Sequence, residues 1–89
     1  PRLMAKPNPF HGQVSFQTQA AGPGPIRLSV YDLQGREVAI LVKDWAEVGE
    51  RDIVWNGRND QGLELPAGIY FGRLRTPRGA VDQKLVKLR

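Results

Sequence analysis

His11 is the only histidine in the chain and the first residue to consider for catalysis. A nucleophile, a general base and an orienting acid must converge to work together. His11 lies between Phe10 and Gly12, and no sequence pattern places such partners beside it. Ser15 and Ser29 occupy polar positions of alternating segments, without the strained turn that exposes a catalytic serine. The sequence therefore predicts no catalytic residue.

Oxygen-bearing side chains are frequent in residues 56–62, so this segment is the candidate metal site. Its candidate calcium ligands are Asn56, Asn59 and Asp60, because Ca²⁺ takes oxygen ligands at short spacing. The segment lacks the terminal bidentate glutamate and carries Arg58 in its middle. Side chains that hydrogen-bond the backbone of turns are therefore the preferred interpretation. We expect no metal and no other cofactor.

Aromatic side chains are the remaining candidates for ligand binding. Three of them occupy apolar positions of alternating segments and are predicted to be core: Phe16, Trp55 and Tyr70. Three others are candidate aromatics for contact with a polysaccharide: Trp45, Tyr31 and Phe71. Tyr70 also follows a turn containing Gly68, an arrangement typical of a tyrosine corner, in which the hydroxyl bonds back to the loop backbone.

The positive charge of the chain is concentrated near its carboxyl end. The formal net charge is +4, yet residues 73–89 hold six basic residues and one acid, Asp82. Basic clusters suit phosphate contacts, but charge on an edge hairpin more often prevents pairing with other chains. We therefore expect no nucleic-acid partner. The chain contains no cysteine, which excludes a disulfide scaffold.

Short alternating segments separated by turn residues dominate the chain and predict strands rather than helices. The predicted strands are residues 13–19, 26–32, 36–42, 51–55, 63–65, 69–75 and 81–88. With no crossover helix between them, they predict an all-β fold: a seven-stranded antiparallel immunoglobulin-like β-sandwich. In the third strand either Val38, Ile40 and Val42 or Ala39 and Leu41 face the core.

The segments between these strands complete the expected organisation. Residues 32–35 form a tight turn, since Asp32 can bond a downstream amide and Gly35 can adopt positive φ. Residues 43–50 form a loop that carries Trp45 as a lid on the core. Residues 1–9 are the proline-extended end of a linker, and residues 10–89 are the domain. We read the chain as part of a longer protein, with no transmembrane segment because no apolar run is long enough.

The motifs occur in an order that resembles a known family. The matching segments are Asn8-Pro9-Phe10, Val14-Ser15-Phe16, Val30–Val38, Gly49, Trp55-Asn56-Gly57, Asp60-Gln61-Gly62, Pro66–Phe71 and Lys84-Leu85-Val86. This order resembles the carboxyl-terminal sorting domain of type IX secretion substrates and the closely similar immunoglobulin-like domain of the flagellar hook-capping protein. Asn56 stands where the family usually has aspartate.

The resemblance implies a non-catalytic module of a secreted, multidomain bacterial protein, often a hydrolase. Outer-membrane export or cell-surface machinery reads such a module, which is then removed or fixes the protein to the cell surface. A Lys-rich motif in the last strand of the family is matched by Lys84, Lys87 and Arg89, the predicted sorting or partner surface. The alternatives are a carbohydrate- or protein-binding accessory module, a hook-capping domain and a structural spacer. We expect the isolated domain to be a monomer.

Overall fold

Two antiparallel β-sheets and no helix make up the computed structural model, which describes residues 1–89. The three-stranded sheet has the order β1-β2-β5, and the four-stranded sheet has the order β4-β3-β6-β7. The prediction of an all-β, seven-stranded sandwich is confirmed. No helix long and apolar enough to cross a bilayer is present. The strands are β1 Arg2–Lys6, β2 Val14–Ala20, β3 Gly24–Tyr31, β4 Glu37–Ala46, β5 Gly49–Trp55, β6 Gly68–Thr76 and β7 Gly79–Lys87.

The core lies between the inner faces of the two sheets. As the alternation predicts, Ile26, Leu28 and Val30 are buried. Phe16 crosses from β2 to the four-stranded sheet, where a Cβ added to Gly72 would lie 2.4 Å from its ring. Burial of one large apolar side chain contributes roughly 1.5–3 kcal/mol, so this interlocking of the sheets is a main source of stability.

Strand β4 changes its inward face along its length. Ala39 and Val42 are the residues of β4 between 38 and 42 that are fully buried, whereas Ile40 is exposed. The pairing of β3 with β4 shifts register between Leu28 and Ser29 and again between Val30 and Tyr31. A bulge of this kind inserts an extra residue and reverses the side-chain alternation. Neither of the two predicted inward sets is therefore correct by itself.

Two segments differ from their predicted structure. Residues 1–9 were expected to be a linker end, but Arg2–Lys6 form β1 and pair with β2. Leu3 is buried, so buried and exposed residues alternate over β1. The prolines at 7 and 9 led to the interpretation of the whole segment as a linker. Residues 63–65, a predicted strand, contribute only an isolated bridge between Glu64 and Arg58, since Pro66 lacks the amide needed to extend the pairing.

The predicted loop at residues 43–50 is also wrong. Strand β4 continues to Ala46 and β5 begins at Gly49, so only two residues separate them. Trp45 points outward and is 61% exposed, while its neighbour Ala46 is buried. Trp45 is therefore not a lid on the core.

The loops gather at two ends of the sandwich. We call one the clasp end; it holds residues 7–13, 32–36, 56–67 and 88–89. We call the other the hairpin end; it is formed by residues 21–23, 47–48 and 77–78. The final strand β7 runs from the hairpin end to the clasp end along one edge of the four-stranded sheet.

Candidate functional site

The outer edge of β7 is closed from Lys84 onward by a short segment from the beginning of the chain. The Asn8 side chain donates from Nδ2 to the carbonyl oxygen of Lys84 (2.8 Å) and accepts at Oδ1 from the amide of Val86 (3.0 Å). The Phe10 amide donates to Val86 O (3.0 Å), and the Leu88 amide donates to Phe10 O (2.8 Å). Residues 8–10, which we call the clasp, therefore satisfy the backbone groups that an edge strand would leave free.

Three aromatic rings anchor the clasp in the core. Phe10 and Trp55 are each 1% exposed, and their ring centroids are 5.8 Å apart. Tyr70 meets Trp55 edge-on at 5.7 Å. The Trp55 indole donates to Arg58 O (2.9 Å), and the Tyr70 hydroxyl donates to Pro66 O (2.7 Å). Core positions for Trp55 and Tyr70, and the tyrosine-corner bond, are thus confirmed.

The electrostatics of the clasp end hold its polar groups in fixed protonation states. Burial raises the pKa of Tyr70, and the negative charge of Asp32 raises it further, so the hydroxyl stays protonated and donates. Burial also tends to raise the pKa of Asp32, but hydrogen bonds from Arg36 and the Gln34 amide outweigh it and lower that pKa. The tight turn at 32–35 is confirmed by the bond from Gly35 N to Asp32 O (3.0 Å).

The predicted partner surface is divided by the structure. Lys84 and Arg89 are exposed, whereas Lys87 is 3% exposed. The Lys87 ammonium donates to Glu64 Oε1 (3.3 Å), and its side chain covers Gly57, where an added Cβ would lie 2.7 Å from Lys87 Cε. Lys87 is therefore an internal anchor and does not belong to an accessible surface.

His11 lies beside Arg89, two residues after the end of β7. Its Nδ1 is in hydrogen-bond contact with the carbonyl oxygen of Arg89. The ring thus continues the line of contacts that begins at Asn8. Sequence reasoning did not assign a role to Asn8 or Phe10, although both belong to the first segment on which the family resemblance rests.

The oxygen atoms of the candidate calcium segment accept hydrogen bonds from backbone amides. Asn56 Oδ1 accepts from the amide of Arg58 (3.1 Å), and Asn59 Oδ1 accepts from those of Gln61 (3.0 Å) and Leu63 (2.9 Å). Asp60 Oδ1 accepts from the amide of Ile40 in β4 (3.0 Å). No group of three or more His, Cys, Asp or Glu residues suited to hold a metal ion is present. The geometry gives these side chains a turn-forming role.

The three candidate ligand aromatics do not form one platform. Tyr31 and Phe71 are register partners on the outer face of the four-stranded sheet, near the clasp end. Trp45 pairs with Pro25 at the hairpin end of the same face. Tyr31 and Phe71 are half-buried, and the Tyr31 hydroxyl donates to Glu37 (3.1 Å). Trp45 is the only one of the three that is largely exposed.

Comparison with known proteins places this geometry in a family. Residues 6–88 match the family described as the secretion system C-terminal sorting domain. No curated protein matches the sequence.

Two solved structures from Porphyromonas gingivalis share the fold. One is PorZ, described as an essential bacterial surface component of the type IX secretion system, with 20% identity and a TM-score of 0.67. The other is dimeric latent PorU, with 18% identity and a TM-score of 0.74. The similarity covers 98% and 97% of this chain but 11% and 9% of those chains, and it establishes the fold alone.

Proposed function

The chain belongs to the family of secretion system C-terminal sorting domains, and we propose that the export machinery reads it through exposed cations in the second half of β7 and just after it. The contact residues in this proposal are Lys84 and Arg89. The module serves the sorting of a secreted or cell-surface protein by type IX secretion. Lys87 is not a contact residue; its buried side chain bonds Glu64 and holds the end of β7 in place.

The closed edge of β7 is the observation that carries this proposal. On one side β7 lies beside β6, and Lys84 and Val86 are the register partners of Phe71 and Ile69. On the other side the clasp occupies the same residues. A partner cannot add a strand to an edge that is already paired. A partner that contacts this part of β7 must then use side chains that point away from the core, as that of Lys84 does.

A reporter protein fused ahead of the 89 residues tests the proposal. The double variant Lys84→Ala/Arg89→Ala should lose export or surface retention, since it removes the proposed contacts and leaves the buried side of β7 intact. The matched control is Arg2→Ala/Lys6→Ala, which removes two exposed cations from β1 in the other sheet. Thermal unfolding of each purified variant verifies that the fold is unchanged. Export of the Lys84/Arg89 variant at the level of the control would contradict the proposal.

Deletion of residues 84–89 is a poorer experiment because it removes structure together with recognition. The deletion takes away Leu85, which is fully buried, and every hydrogen-bond partner of the clasp. Loss of export after that deletion would therefore not distinguish a lost contact surface from an unfolded domain. The two-residue variant separates these causes.

We also propose that this module contributes no chemistry of its own. Its single histidine contacts the Arg89 carbonyl rather than a nucleophile, and no side-chain N or O atom is left buried without a partner. The family resemblance suggests a secreted hydrolase as the parent protein. Assay of the isolated 89 residues against ester, peptide and glycoside substrates should give no turnover above buffer; turnover that is lost in His11→Ala would contradict this.

A further inference from the structure

Three cations cross the outer face of the four-stranded sheet in one row near the hairpin end. Arg27 on β3 pairs in register with Lys43 on β4 and with Arg75 on β6. Neighbouring strands are about 4.8 Å apart, and like charges directly opposite each other destabilise a sheet. We call these three residues, Lys43, Arg27 and Arg75, the basic row. Because like charges stand next to each other in it, the basic row does not stabilise the fold.

The carboxylates of this face neutralise only part of the charge. Arg27 donates to Glu37 Oε1 (2.7 Å), and this hydrogen bond, together with the Glu37 charge, raises the pKa of Arg27. The other carboxylate, Asp82, accepts from Arg73 (2.9 Å). Lys43 and Arg75 are exposed and form no ion pair. The two outer members of the basic row therefore keep free positive charge.

An exposed indole stands next to the basic row. Trp45 and Pro25 form the next outward-facing register pair toward the hairpin end, and Trp45 is 61% exposed. Tryptophan and arginine are the residues most enriched among those that dominate binding energy at protein interfaces. The exposed ring of Trp45 can therefore hold apolar surface of a partner, and the free cations beside it favour a partner with negative charge.

Beyond the sorting surface, we propose that the basic row and Trp45 form a docking site for an acidic protein. The partner presents carboxylates to Lys43 and Arg75 and apolar surface to Trp45. A protein fits better than a continuous polyanion, because Arg27 and Arg73 are already paired with Glu37 and Asp82 and the free cations lie beside an exposed apolar ring, Trp45, which a partner must cover with apolar surface. A protein can place its carboxylates opposite the basic row alone.

Fluorescence titration of the 89-residue chain with a synthetic peptide of alternating glutamate and leucine tests the proposal. Trp55 is 1% exposed and its indole N–H is bonded, so a change on binding reports Trp45. Lys43→Ala/Arg75→Ala should weaken binding at least about tenfold, the scale expected for loss of close interfacial charge pairs. Arg2→Ala/Lys6→Ala removes the same charge from the other sheet and should change the affinity less than about twofold.

Three results of the titration would overturn the proposal. They are absence of binding, an equal loss in both double variants, and tighter binding of polygalacturonate than of the peptide; the last would identify an anionic polysaccharide as the ligand. Binding that weakens as salt rises, because the cations become screened, supports the proposal. The urea midpoint of Lys43→Ala/Arg75→Ala should be no lower than that of the unmodified chain. A lower midpoint would mean that these residues serve folding, and it would also overturn the proposal.

Discussion

At the clasp end Phe10 and Trp55 are each 1% exposed, whereas at the hairpin end Trp45 is 61% exposed. The clasp end buries its aromatic rings, bonds their polar atoms and pairs the edge of the last strand. The hairpin end leaves a ring and free cations in solvent, at Trp45, Lys43 and Arg75. This difference indicates that the clasp end contributes most to stability, while the side chains of Trp45, Lys43 and Arg75 at the hairpin end remain available to solvent.

The segments that carry the family resemblance lie mostly at the clasp end. Residues 8–10, 55–57, 60–62 and 66–71 meet there, together with the last part of β7. The basic row and Trp45 belong to none of these segments. The residues on which the resemblance rests thus surround the clasp, while the basic row and Trp45 lie outside them.

The largest effect that we expect comes from opening the clasp. Phe10→Ala should lower the free energy of unfolding by about 3–5 kcal/mol, since it removes a fully buried ring and leaves a cavity against Trp55. The matched change at the other end, Trp45→Ala, should cost no more than about 0.5 kcal/mol because that ring is exposed. Urea denaturation of both variants measures the difference. Equal costs at the two ends would break the comparison between them.

Replacing one glycine at each end compares the stability of the two ends again, with a smaller expected difference. Gly57 has φ of +76°, and an added Cβ would lie 2.7 Å from Lys87 Cε and 3.2 Å from the Gly12 carbonyl oxygen. Gly57→Ala should therefore destabilise by about 1–3 kcal/mol. Gly22→Ala meets only the mobile guanidinium of Arg78 and should change stability by less than about 0.5 kcal/mol. Chemical denaturation that ranks the two variants in the opposite order would show that the clasp end tolerates strain.

The Tyr70 hydroxyl should have an effect near 1 kcal/mol. Tyr70→Phe removes the hydrogen bond to Pro66 O (2.7 Å) and leaves that carbonyl without its side-chain donor, at a cost of about 1 kcal/mol. The control is Tyr31→Phe, whose hydroxyl bonds an exposed carboxylate and which should cost less. Thermal unfolding that ranks Tyr31→Phe as the more costly change would contradict the role of the corner.

The smallest effect is a dependence of stability on acid. Burial tends to raise the pKa of Glu37, but hydrogen bonds from Arg27, Ser29 and Tyr31 outweigh it and lower that pKa. A lowered folded-state pKa contributes stability above the unfolded value, near 4.3, and this contribution is lost as the pH falls through the folded pKa. Glu37→Gln should therefore flatten the fall in urea midpoint between about pH 5 and about pH 3. Arg27→Ala should flatten it too; an unchanged slope in both would refute the pairing.

Much of the fold is predictable because it depends on local alternation. The inward positions of Ile26, Leu28 and Val30 follow from a period of two residues, and the structure confirms them. The same rule fails at Ala39 and Val42, where a bulge reverses the alternation. The error at Trp45 has another cause, since residues 43–50 are predicted to be a loop, whereas β4 continues through Ala46 with Trp45 facing solvent.

The clasp and the burial of Lys87 depend on contacts that no local pattern contains. Asn8 bonds Lys84 across 76 positions of the sequence. Lys87 is buried because Gly57 has no side chain to occupy its place and Glu64 supplies a counter-charge. A lysine in an alternating strand gives no indication of such partners, so the sequence predicts it at the surface. Only the segment Asn8-Pro9-Phe10, through the family resemblance, pointed to this region.

The clasp also makes residues 84–88 a condition for completing the fold. Asn8 and Phe10 are synthesised before their hydrogen-bond partners, which are Lys84, Val86 and Leu88. Closing so long a loop brings its entropic cost before the contacts that repay it. In a chain that ends before Lys84, Phe10 therefore lacks the backbone groups of Val86 and Leu88 that it bonds in the complete domain. Closure of the clasp therefore requires synthesis of the domain through Leu88, and a product truncated before Lys84 cannot close this edge.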